Sequence, residues 1–151
     1  MNTSRLFQLV LVPLVLAACG GDGATSDPPT RDAVEVATAP SAGDVEFAEL
    51  TANWSQVVLD GCGRTLREAL GTRDLVQGAF DSVKDPRGVA ATEIEDARHW
   101  IELGNSHIAG VRPRLANGEC DWAITLALDE AVQAYVKAGT AAVQAGQIAG
   151  S

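Results

Sequence analysis

His99 has Glu95 four residues before it and Glu102 three residues after it, a spacing that puts one imidazole and two carboxylates on a single helical face. Those ligand types could approach one divalent cation. The same trio also makes an ordinary solvated helix face with weak charge pairing. The only other histidine, His107, lies eight residues on, about 80° around a helix axis, near Trp100 and Leu103 at the edge of the apolar face. A half-buried structural histidine is expected there, and the two imidazoles do not form one site. No cysteine pair has zinc or haem spacing, and the chain contains neither a phosphate loop nor a nucleophile elbow. Gly61–Gly71, "GCGRTLREALG", has glycines but no preceding strand, so it reads as a helix break rather than a nucleotide cradle. No catalytic residue emerges and no metal or cofactor is expected, the set Glu95, His99 and Glu102 being the one with ligand chemistry.

Helices must position whatever site exists, because sustained apolar-polar alternation is missing while a 3.6-residue period recurs four times. Asp44 is placed as the N-cap of a first helix running to about Asp60, with Phe47, Leu50, Trp54, Val57 and Val58 on its apolar stripe. A kink or break is expected around Gly61–Gly63, followed by a short segment, "RTLREAL", and a second helix from Arg73 to Lys84 capped by Thr72. Thr92 with Glu95 has capping-box spacing for a third helix, which is expected to stop near Arg112 because Pro113 follows. Asp121 caps the longest helix, Trp122 to Gln147. The fold class predicted is all-α, a small four-helix-like bundle over residues 44–151.

Ahead of that domain, one basic residue, Arg5, precedes an apolar run from Leu6 to Leu16 that is too short for a permanent membrane span. The run ends in Leu16-Ala17-Ala18-Cys19, which resembles the lipobox of bacterial lipoproteins. The resemblance covers about the first 19 residues. It implies that residues 1–18 are a cleaved signal peptide, that Cys19 carries covalent lipid, and that fatty acyl chains of the palmitate type hold the protein to a membrane. Gly20, in place of the Asp that retains such proteins at the inner membrane, implies the outer membrane in a Gram-negative host and the outer face of the plasma membrane in a Gram-positive one. Residues 19–43, with Pro28, Pro29 and Pro40, read as a flexible tether with a reach of roughly 25–30 Å.

With Cys19 assigned to lipid, Cys62 and Cys120 remain as an even pair in an oxidising compartment, where a disulfide is expected; two separate buried thiols are the alternative. If the first and last helices pack side by side, that bridge requires them to be antiparallel. Without residues 1–18 the chain carries a formal charge of −10. An acidic chain without basic clusters excludes nucleic acid and electrostatic attachment to anionic lipid as main functions. Trp122 and Leu126, one turn apart, point away from the apolar face of the last helix, as Leu59 does on the first; they mark a partner surface unless the short segments 64–70 or 113–119 cover them. Trp54, Trp100 and Tyr135 either line a cavity between helices or belong to the core. The expectation is an extracytoplasmic, non-catalytic domain that binds another envelope or surface protein. A small-molecule or metal carrier is the alternative.

Overall fold

The computed structural model describes residues 39–150, all within one compact unit, Ala37–Ser151. The signal-peptide stretch 1–18, Cys19, Gly20 and the tether up to residue 38 lie outside the described residues. The fold is all-α: α1 (Ala42–Thr51), a short α2 (Gln56–Val58), one turn of π-helix (Leu59–Gly63), α3 (Arg64–Ser82), α4 (Ala91–Ala116) and α5 (Trp122–Gly150). Among the described residues there is no strand.

The first helix starts earlier than expected. Ser41, not Asp44, is its N-cap: the Ser41 hydroxyl accepts the Asp44 amide at 3.1 Å, and the Asp44 carboxylate accepts the Ser41 amide at 3.1 Å. The reciprocal box draws residues 41–43, assigned to the tether, into the domain. The helix also ends early, at Thr51, and Ser55 caps the next segment. This break turns Trp54 inward, where its indole N–H donates to the Leu115 carbonyl at 2.7 Å, and leaves Val57 80% exposed.

Gly61–Gly63 does not break the helix; the irregularity expected there takes the form of one π turn, Leu59–Gly63. Residues 56–82 run on through the π turn, and the expected cap at Thr72 falls mid-helix. A Cβ at Gly61 would lie 3.1 Å from Cys120 Sγ, so the missing side chain lets the two segments approach. Cys62 and Cys120 are bridged, with 5.9 Å between their Cα atoms. The bridge ties the start of α3 to the start of α5, so these two helices run side by side in parallel. Along them, Thr125 lies 3.7 Å from Cys62, Gly139 packs at Val76, and Ala142 and Gly146 lie by Ala79 and Val83. The bridge therefore does not join the end of the first helix to the start of the last, the arrangement from which an antiparallel pair would have followed, because Cys62 lies in the π turn that leads into α3.

α4 lies antiparallel to α5 and packs closely against it. Gly104 makes this possible: a Cβ there would lie 2.5 Å from a Tyr135 ring carbon. The Tyr135 hydroxyl then donates to Asn105 Oδ1 at 2.8 Å. Pro113 does not stop α4, which continues one turn to bury Leu115 completely; burial and the Trp54 bond override the local preference. Gly118, at φ 72°, reverses the chain. At the other end Thr92 is not the cap; Asp85 instead accepts the Val89 and Ala90 amides at 3.0 and 2.8 Å.

The core is graded along its length. Leu50, Trp54, Leu66, Leu70, Leu115, Ile124 and Leu128 fill the bridged half around Cys62, while Ala97, Ala141 and Ala142 meet at the far end beside Phe80.

Candidate functional site

Asp121, whose carboxylate accepts the Ile124 amide at 3.0 Å, fixes the start of α5 next to the bridge. That amide, then the Arg114 guanidinium, hold the Asp121 carboxyl below the usual aspartate range. Arg114 also pairs with Glu119 at 2.8 Å, so the 117–121 loop is tied from both sides. On this corner Trp122 is 78% exposed and Leu126, one turn later, is 40% exposed. Short segments of the chain do not cover them. Leu59 does not join them on an open surface: it is half-buried, packs against the core and lines a separate groove.

The metal-type residues do not converge. Glu95 pairs with Arg98, and His99 meets the edge of Trp100, ring centres 5.2 Å apart. Among the described residues no three His, Cys, Asp or Glu side chains are arranged to hold a metal ion, and this includes Glu95, His99 and Glu102. His107 is half-buried with its Nδ1 3.3 Å from Glu130. It shares a shallow groove of about 200 Å³ with Trp100, over whose ring Lys137 Nζ sits at 4.2 Å. Trp54 and Tyr135 are core residues. Burial pushes the Tyr135 phenol up to about 12.

Two features were not foreseen. One is a polar latch holding α1: Glu46 pairs with Arg73 at 2.6 Å and with Arg112, while Asp74 accepts the Gly43 amide at 2.6 Å. Burial works to raise the Asp74 pKa, but the Gly43 amide, Ser41 and Arg73 outweigh it and the carboxyl lies below its ordinary value. The other is an open groove of about 730 Å³ between α1 and the π turn, walled by Phe47, Leu59, Asp60, Arg64, Arg67 and Glu68. The Arg67 guanidinium lies 4.3 Å over the Phe47 ring. The sequence signal for it was two arginines one turn apart in an acidic domain, beside the Gly61–Gly63 pair that marks the π turn.

No protein-family model matches this chain, nor does any curated protein or solved structure. What fold and surface define is a class by architecture: an all-α domain stapled by one disulfide, with an exposed aromatic corner beside the staple.

Proposed function

We propose that the protein is a membrane-anchored, extracytoplasmic lipoprotein whose helical domain binds another envelope or surface protein and catalyses no reaction. The observation that carries the reading is the exposure of Trp122 and Leu126 on a corner fixed by the bridge and by Arg114. Tryptophan is enriched among residues that dominate binding energy, and a preordered corner loses little freedom on association. The lipid at Cys19, implied by the lipobox resemblance, supplies the attachment, with the tether presenting the domain to neighbours on the same surface.

The test is photo-crosslinking in the native cell, with a benzophenone amino acid at position 122, 126 or, as control, 99. Position 122 or 126 should give one discrete heavier adduct and position 99 none. Trp122→Ala in a chain with the crosslinker at 126 should remove the adduct without altering thermal unfolding. Equal labelling from all three positions, or none from 122 and 126, overturns the assignment. Cys19→Ala should release the protein from the membrane fraction; continued membrane association would overturn the lipid anchor.

A further inference from the structure

We propose that the groove between α1 and the π turn is a binding site for a small amphiphile bearing a single carboxylate. The site is separate from the Trp122 corner and does not depend on the partner reading. Phe47 and Leu59 offer an apolar wall, and Arg64 and Arg67 offer guanidiniums beside it. Arg73, Arg98, Arg112 and Arg114 each meet a carboxylate, and Arg87 donates to the Ala149 carbonyl at 3.1 Å. Arg64 and Arg67, in the same acidic domain, have no ion pair among the described residues. An arginine stacked on an aromatic ring keeps its in-plane N–H donors, and that fork matches one carboxylate.

The same wall sets the ligand's charge and size. Asp60, which accepts Gln56 Nε2 at 2.8 Å, and Glu68 repel a second negative charge. A monoanionic head is therefore favoured over a phosphate dianion or a strongly acidic peptide. A volume of about 730 Å³ lies within the range of small-ligand clefts. The π turn is an independent pointer, since such turns in α-helices recur at functional sites. Here it carries Leu59 and Asp60 into the groove and Cys62 into the core, so the bridge stiffens the wall.

The experiment is an amide NMR titration of residues 37–151, the compact unit with its own core and with the bridge formed. The probes are dodecanoate, dodecanol, dodecylammonium and dodecyl phosphate, each below its micelle-forming concentration, at pH about 8, where the phosphate is a dianion. Dodecanoate should shift the Leu59, Gly63 and Arg67 amides saturably, and bind at least about tenfold more tightly than the other three. Replacing both arginines (Arg64→Gln with Arg67→Gln) should weaken dodecanoate by about tenfold or more with thermal unfolding unchanged. Arg67→Lys, which keeps the charge and loses the fork, should fall between. Asp60→Asn should narrow the gap between dodecanoate and dodecyl phosphate. Equal binding of dodecanoate and dodecanol, shifts centred on Trp122, preference for the phosphate, or indifference to the double replacement would overturn the proposal.

Discussion

At the residue scale, the most demanding position is Gly104, whose hydrogen occupies the space where a methyl group would strike the Tyr135 ring. Tyr135 is fully buried, so it has nowhere to retreat without moving α5 away from α4. Gly104→Ala is expected to destabilise the domain by about 2–3 kcal/mol, the overpacking cost outweighing the gain in helix propensity. Urea unfolding followed by circular dichroism measures it, and a neutral or stabilising result would show that α4 and α5 adjust freely. In the sequence, Gly104 was only a weak helix former within the third predicted helix, since its role depends on a side chain 31 positions away. Trp54 was similar: its apolar character left it between core and cavity, and its indole bond to Leu115 follows from a break whose local mark, the capping residue Ser55, lies inside the span predicted as one continuous first helix.

At the element scale, α1 is ten residues long, too short to be stable alone, and depends on what it docks against. Part of that docking is the Asp74 bond to the Gly43 amide. Asp74 has a lowered folded-state pKa, so its stabilisation is present above the unfolded value of about 3.9 and is lost as pH falls through the folded value. Asp121 and Asp85, held low mainly by helix-start amides, act in the same direction. Thermal stability should therefore be steady down to about pH 4 and decline below it. Asp74→Asn should cost about 1–2 kcal/mol at neutral pH and flatten the acid decline, as seen by calorimetry across pH. A parallel decline in both proteins would remove Asp74 from the latch. Helix identity was readable from periodicity, whereas boundaries moved wherever a distant contact outweighed a local signal. Pro113 lies inside α4 because Leu115 gains a fully buried place, and Gly61 lies inside a helical run where a side chain would crowd Cys120 of the bridge.

At the scale of the whole molecule, the bridge closes a span of 58 residues and joins two parallel helices at their starts. Replacing both cysteines (Cys62→Ala with Cys120→Ala) should lower stability by up to about 4 kcal/mol through the freer unfolded chain. Chemical denaturation of both forms checks this, and a loss below about 1 kcal/mol would mean that the core alone sets the pairing. The disulfide was legible from cysteine arithmetic, but the direction of the helices it joins was not, because that depended on which helix Cys62 belongs to. The exposed Trp122 corner was legible from helical periodicity. The Arg64–Arg67 groove was not, since its walls come from α1 and the π turn, and only their packing creates it.

The graded core has one further consequence. Beyond Ala138, α5 buries only alanines, so each of its last turns loses little apolar contact on opening, whereas each turn near Cys62 would have to withdraw leucine, isoleucine or tryptophan and is held by a covalent link as well. Amide hydrogen exchange is therefore expected to be faster in the C-terminal turns of α5 than beside the bridge. The Trp122 corner and the Arg64–Arg67 groove both lie at the bridged end, so a visitor is expected to meet the part of the surface that costs most to open.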